Sequence, residues 1–191
     1  MSLERREIRI VQPRPPHISA SGDRSSNDRS QSLAAQITSR FLTREDIPAI
    51  CGIERQSYSN PWSDPFIASE FDKDVSFRPA IFLNGELVGY SFNYIVVDEL
   101  HILNLAIHPR LRRMGLGALL LSTILKGGAD RGCSFATLEV RVGNIPARRM
   151  YERFGFCPVS IRRGYYSDNG EDALILDRAI GLESQHQPPA E

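Results

Sequence analysis

The chain of 191 residues is poor in cysteine, with Cys51, Cys133 and Cys157 scattered far apart. An odd count without Cys-x-x-Cys spacing argues against a disulfide framework and against a zinc site. Each of the three lies among apolar residues and reads as a small buried hydrophobe. Long apolar runs are also lacking, and the stretch from 117 to 121 is far too short to cross a bilayer. No apolar segment of the signal-peptide kind follows the start, so a reducing cytoplasm is the expected compartment. Net charge is absent as well, since Lys plus Arg equals Asp plus Glu at 23 each. A neutral chain has no overall field to draw in nucleic acid or anionic lipid, so a charged partner must be met by a local patch. Neither a membrane nor direct nucleic-acid binding is expected.

Residues 1–36 contain Pro13, Pro15 and Pro16 and a polar run from 19 to 32, with almost no periodic apolar content. Such a composition cannot bury enough surface to offset its ordering entropy, and it reads as a disordered extension. Seven arginines between Arg5 and Arg40 raise the possibility of a basic arm. Glu4, Glu7, Asp23 and Asp28 dilute them, and no aromatics interleave, so a solvated tail is the better reading. Residues 183–191 read as a second frayed end, leaving 37–182 as one domain.

Within that domain, Thr43-x-x-Asp46 has the form of a cap opening a helix to about 57, whose inner face carries Ile47, Ile50 and Ile53. A second helix is expected over 63–71, capped by Ser63 with Pro65 in its first turn. Asn84-Gly85 between apolar stretches 80–83 and 87–97 is a strong hairpin signal. A strand over 100–107 precedes an amphipathic helix over 115–131, which bears Leu116, Leu119, Leu120 and Ile124 and ends on Gly132. A strand at 135–142, a helix at 145–154 stopped by Gly155, and strands at 156–162 and 173–177 follow. The predicted order is α-α-β-β-β-α-β-α-β-β, a mixed α/β sheet.

The sharpest local feature is a strand end, Leu105-Ala106-Ile107, followed after a short loop by Arg112-Arg113-Met114-Gly115-Leu116-Gly117 at a helix start. Glycine lets a backbone approach a ligand closely, and the free N–H groups of a new helix favour a phosphate. Arg112 and Arg113 can add charge-assisted contacts. The loop is no Walker A, because no Gly-Lys-Ser/Thr follows, and it lacks the third glycine of a dinucleotide fingerprint. By itself such a turn is a weak signal, and a tight β–α turn with glycines for packing is the commoner reason for it.

The Arg/Gln-x-x-Gly-x-Gly/Ala pattern after a strand resembles the pyrophosphate loop of GNAT acetyltransferases. Downstream, Leu138-Glu139-Val140-Arg141-Val142-Gly143-Asn144 and then Tyr151-Glu152-Arg153-Phe154-Gly155-Phe156 are similar to the second half of that superfamily. The resemblance covers about residues 38 to 181. It implies the three-layer α/β/α GNAT fold with a splayed mixed sheet. It further implies acetyl-CoA as co-substrate, bound by Leu105, Ala106, Ile107, Arg112, Arg113, Met114, Gly115, Leu116, Gly117 and Asn144, with no metal required. Glu139 would be the general base and Tyr151 the general acid; Tyr, with a reference pKa of about 10, suits a departing thiolate.

Within the superfamily, Pro61-Trp62-Ser63, Asn104-Leu105-Ala106-Ile107 and Arg162-Arg163-Gly164-Tyr165-Tyr166 with Glu171-Asp172-Ala173 resemble the bacterial ribosomal-protein-alanine N-acetyltransferases, the RimI type. The pattern there usually has Asn at the place of Gly164 and a residue other than Gly at 143. The expected acceptor is a protein N-terminus, that of the eighteenth small-subunit ribosomal protein. Trp62 and the pair Tyr165-Tyr166, otherwise core or hairpin aromatics, fall beside the acceptor groove in that reading. His108 is a rival base, although its position before Pro109 reads as a loop edge, and His101 reads as a packing residue. A small-molecule amine or lysine acetyltransferase and a non-catalytic CoA-binding module are the alternatives.

Overall fold

The computed structural model describes residues 37–181; the readings of 1–36 and 183–191 lie outside the described residues. The elements are β1 (Ile37–Phe41), α1 (Ile47–Ser57), α2 (Asp64–Ser69), β2 (Ser76–Phe77), β3 (Pro79–Leu83), β4 (Glu86–Val96), β5 (Glu99–Ile107), α3 (Leu116–Ala129), β6 (Phe135–Arg141), α4 (Ile145–Arg153), β7 (Cys157–Tyr166) and β8 (Glu171–Ala179). The strands form one sheet in the order β1-β3-β4-β5-β6-β8-β7, with β2 paired to β4. Among the described residues only β5 and β6 run parallel. They are also the strands joined by a crossover helix, α3, as a parallel pair requires.

Local chemistry explains the boundaries. Thr43 N–H donates to the Asp46 carboxylate at 2.8 Å, while Asp46 N–H donates back to Thr43 at 3.0 Å. This box opens a short 3-10 turn, Arg44–Asp46, and the α-helix proper begins at Ile47. Ser63 caps α2 by accepting from Phe66 N–H. Asn84 and Gly85 both take positive φ, 52° and 83°, as a two-residue hairpin turn demands. The helix predicted over 115–131 is shorter, with Gly115 as its N-cap and Asp130 as its C-cap.

Two strands were not visible in the sequence pattern. In β1 only Ser39 is buried, so its residues carry no clear alternation. With two residues, β2 is below any periodic signal. The last hairpin extends beyond the predicted strands, to Tyr166 on β7 and from Glu171 to Ala179 on β8.

Two apolar clusters flank the sheet. On one face Leu116, Leu120, Leu121 and Ile124 of α3 and Tyr151 of α4 pack on Ile81, Leu100, Ile102, Ile107 and Leu138. On the other, Ile50, Cys51 and Ile53 of α1 and Ile67 of α2 pack on Phe82, Tyr90, Phe92 and Ala106. Those second partners all belong to β3, β4 and β5, so the same face of β6, β8 and β7 is left open. Cys51 and Cys133 are buried as expected, but Cys157 is exposed. It begins the edge strand β7, where every residue up to Tyr165 is exposed. An edge strand with an open face offers no core for a thiol to enter.

Candidate active site

The site arises where β5 and β6 separate. Their pairing runs from Glu99↔Phe135 to Ile102↔Leu138 and stops, so Leu103–107 continue without a strand on that side. A bulge sets the geometry. Phe92 pairs with Asn104 but Asn93 pairs with Ile102, leaving Leu103 as the extra residue. The bulge resets the side-chain alternation: Leu100 and Ile102 precede it on the α3 face, Leu105 and Ile107 follow it there, and Ala106 joins the α1 face. The carbonyls of Leu105 and Ile107 turn toward the opening, accepting from Tyr58 Oη at 2.8 Å and Arg112 Nε at 3.2 Å. In an antiparallel strand a residue's N–H points the same way as its C=O, so their amides face the opening too.

Beyond β5, His108 caps a 3-10 turn, Pro109–Leu111, by accepting from Arg110 N–H at its Nδ1. The rival base is thus engaged in holding the loop. Arg113 and Gly115 then take φ of 67° and 82° and swing the chain into α3. The first bond into the helix is Leu119 N–H to Gly115 at 3.0 Å, so the N–H groups of 116 to 118 precede the intrahelical ladder. Both glycines already have reasons within the fold. Gly115 needs the left-handed conformation, and a Cβ on Gly117 would lie 3.1 Å from Met150 Sδ and 3.9 Å from Ile107 Cγ1. The signal that singled out the loop was therefore in large part a folding requirement. Arg113 has no such excuse: a non-glycine residue at positive φ costs about 1–2 kcal/mol. Met114 is half exposed.

Across the opening, Asn144 caps α4, its Oδ1 accepting from Ala147 N–H at 3.3 Å. Tyr151 on that helix is 7% exposed and stands edge-on to Phe156 at 5.6 Å. Burial, then the neighbouring Tyr166, pushes its phenol well above the usual tyrosine range. It therefore stays protonated, the state from which a general acid must start. Glu139 lies on β6 opposite Ile175 of β8. Its carboxylate faces the open side of the sheet and meets Arg162 Nη1 at 3.1 Å. With side chains 27% and 52% exposed, such a pair contributes only about 0–1 kcal/mol and yields readily to a substrate. Glu139 lines a groove of about 440 Å³ together with Glu99, His101, Leu103, Thr137 and Tyr165. His101 lines the same groove, its polar edge satisfied by Glu99 Oε2 at 2.8 Å from Nε2.

Besides burial, the Tyr166 phenol raises Tyr151, and the Glu139 charge helps raise Tyr166 in turn. Burial raises it to about 12, although the Arg141 guanidinium opposes the shift. Arg141 lies over its ring at 3.8 Å. The same guanidinium holds Asp168 through two contacts of 2.9 Å and Glu171 through one of 3.2 Å. Ser59 Oγ donates to Asp168 at 2.8 Å, and Gly143 N–H donates to Glu171 at 2.7 Å. The tip of the β7–β8 hairpin is thereby tied to the α1–α2 connection on one side and to the turn before Asn144 on the other. These bonds, Ser59 first for Asp168 and Gly143 first for Glu171, hold both carboxylates below their ordinary range. A Cβ on residue 143 would lie 2.8 Å from Glu171 Oε1, so a larger residue there would have to move that carboxylate. Gly164, at φ 59°, takes a conformation that Asn also enters.

Beneath the opening lies a polar cluster that sequence reasoning missed. Glu54 on α1 is 1% exposed. It accepts from Tyr90 Oη, from Trp62 N–H at 2.9 Å and from Asn104 Nδ2 at 3.1 Å. Tyr58, at the end of α1, bonds to Asn104 Oδ1 at 2.7 Å. One signal for Glu54 was available: four residues after Ile50, it falls on the same helix face as the apolar stripe. Nothing comparable marked Tyr58. The Trp62 ring packs on Phe66 and Phe92 at 4.7 and 5.6 Å, and its backbone bond to Glu54 fixes the loop.

Comparison with known proteins agrees with this architecture. Residues 47–156 match the acetyltransferase (GNAT) family. A Bacillus subtilis protein provisionally named a [ribosomal protein bS18]-alanine N-acetyltransferase is 38% identical over 138 residues, 72% of this chain and 91% of that protein. The [ribosomal protein bS18]-alanine N-acetyltransferase of Escherichia coli K12 is 33% identical over 144 residues, 74% of this chain and 96% of its own length. The crystal structure of the Escherichia coli ribosomal-protein-S18-alanine N-acetyltransferase superposes with a TM-score of 0.72 at 32% identity, covering 80% of this chain and 99% of that one. Arabidopsis thaliana NAA60 in complex with acetyl-CoA shares the fold, with a TM-score of 0.69 at 20% identity over 75% of this chain and 99% of that one. A parallel pair that parts at a bulge, a glycine-rich helix start beside it, and these likenesses lead to one statement: the chain belongs to the GNAT acetyltransferase family and, within it, to the bacterial ribosomal-protein-alanine N-acetyltransferases.

Proposed function

We propose that this protein transfers the acetyl group of acetyl-CoA to a protein N-terminal α-amine, its acceptor being the N-terminal alanine of ribosomal protein bS18 in the cytoplasm. The observation that carries the reading is the opening between β5 and β6, with Glu139 on one side and Tyr151 on the other. A pantetheine arm fits it by chemistry. Residues Leu105 to Ile107 present backbone donors and acceptors, and the start of α3 with Arg112 and Arg113 supplies N–H groups and positive charge for the pyrophosphate. Asn144, with Oδ1 committed to its cap, leaves its NH₂ for the arm.

In the reaction, Glu139 takes a proton from the acceptor ammonium, directly or through water. The neutral amine attacks the thioester carbonyl, the C–S bond breaks, Tyr151 gives its proton to the sulfur, and the nitrogen sheds its second proton, which restores the Tyr151 phenol. The β5 amides polarise the carbonyl. An α-amine titrates at about 7.7 to 8.0 against about 10.4 for lysine, so freeing its lone pair near neutrality costs roughly 3.5 kcal/mol less. A single, partly exposed carboxylate suits the easier task. The test is mass spectrometry of an alanine-led peptide and an N-terminally blocked, lysine-containing peptide, each incubated with protein and acetyl-CoA. Acetylation of the first at its α-amine supports the reading; preference for the second would overturn it.

A further inference from the structure

The Glu54–Asn104–Tyr58 cluster has no part in the proton transfers just described, yet it reaches the unpaired stretch of β5. Its bonds run in one direction. Glu54 can only accept, so the Asn104 amide must turn its Nδ2 to that carboxylate and its Oδ1 outward. The backbone carbonyl of Asn104 is held by Ser91 Oγ at 2.7 Å, which fixes the residue from below. Tyr58 Oη then lies 2.7 Å from Asn104 Oδ1 and 2.8 Å from Leu105 O. A phenol has one hydrogen. Three oxygens therefore meet where one proton is available, with the buried Glu54 carboxylate behind them. Such a place is short of hydrogen-bond donors and favourable to positive charge.

Its position is specific. Leu105 is three residues beyond Ile102, the last β5 residue paired with β6. Tyr58 Oη meets Leu105 O on the side of β5 that has lost its β6 partner, so the phenol stands at the backbone that would hold the pantetheine. The residue as a whole is 37% exposed, while its hydroxyl is engaged at Asn104 and Leu105. Desolvation, then the charge of Glu54, raises the Tyr58 phenol far above the ordinary range. It is not a second base.

We propose that Tyr58 seats the acceptor: with its own proton given to Asn104 Oδ1, its oxygen accepts an N–H bond from the acceptor α-amine and aims the nitrogen lone pair at the thioester. This assignment rests on the α-amine reading above and adds a residue that selects for the amine itself. Glu139 removes the proton, while Tyr58 holds the nitrogen.

The experiment uses the full chain and Tyr58→Phe, which keeps the ring and deletes one oxygen. With an alanine-led peptide, acceptor kcat/KM should fall roughly ten- to hundredfold, the worth of one hydrogen bond to a charged group, while acetyl-CoA affinity stays unchanged. The decisive readout is peptide binding to the CoA-loaded protein, comparing the alanine-led peptide with its des-amino analogue. Wild type should prefer the amine, and Tyr58→Phe should bind both alike. A merely structural role would weaken both peptides together and leave the preference intact, and that result would overturn the assignment. Failure of the parent reading looks different: wild type would then acetylate no alanine-led peptide, and both proposals would fall.

Discussion

The two halves of the sheet are built on different terms. The strands β3 and β4, and β5 beyond its bulge, are covered on both faces, and Tyr90 and Phe92 have no exposed surface. The strands β6 and β8 are covered on one face only, and β7 up to Tyr165 on neither, leaving Val159 at 57% and Ile161 at 49% exposure. The covered half carries its polar groups inward as a closed network around Glu54. The open half carries them outward as ion pairs, Glu139 with Arg162 and Arg163 with Asp172. Folding stability is concentrated on one side, and charge that a substrate can displace on the other. The proposed reaction falls at the seam, which the buried Tyr151 phenol and the partly exposed Glu139 carboxylate flank.

The largest effects should come from the seam. Tyr151→Phe and Glu139→Gln, one from each side, should each lower turnover by about 10²- to 10⁴-fold while acetyl-CoA affinity is retained. The Gln variant should also shift its rate profile to higher pH, because the acceptor must then lose its proton unaided. Wild-type turnover of Glu139→Gln from pH 6 to 9 would remove Glu139 from the mechanism and turn attention to a group not considered before as a base, the groove histidine His101.

Stability should divide the halves next. Glu54→Ala strips three donors of their acceptor in the covered half and should cost about 3 kcal/mol. Arg162→Gln in the open half should cost less than about 1 kcal/mol. Urea midpoints would measure both, and a reversed order would refute the division.

A smaller effect has opposite signs in two assays. Arg113→Gly relieves the left-handed strain, so stability should rise by about 1 kcal/mol or less. The same change removes a charge from the phosphate loop and should weaken acetyl-CoA binding severalfold. Binding unchanged, or stability lost, would leave the strain at Arg113 without the functional reason given to it. For this purpose Gly115 is the poorer target, since any side chain there is strained whatever it does to the ligand.

What was legible in the sequence was mostly local. Asn84-Gly85, the Ser63 cap and the Thr43–Asp46 box act within a few residues, and each stands where its chemistry places it. Glu139 and Tyr151 were marked by resemblance, and the fold brings them to one opening. What escaped depends on strands far apart in the chain. The bulge at Leu103 is defined only by its partner β4, and the open face of Glu139 only by where α1 and α2 stop. Tyr58 and Asn104 are 46 residues apart, so no spacing rule connects them. His101 reads as packing on an alternating strand, but that alternation points it to the face no helix covers.

The end of the β5–β6 pairing carries a consequence for amide exchange with solvent. Within one nine-residue strand, Leu100 to Ile102 lie between two hydrogen-bonded neighbours, whereas Leu105 and Ile107 turn their N–H groups to the opening. Deuterium uptake should therefore change abruptly in mid-strand, slow before the bulge and fast at those two amides beyond it. Saturation with acetyl-CoA should slow those two amides and leave the first half of the strand as it was, so a single strand would report both the fold and its occupancy.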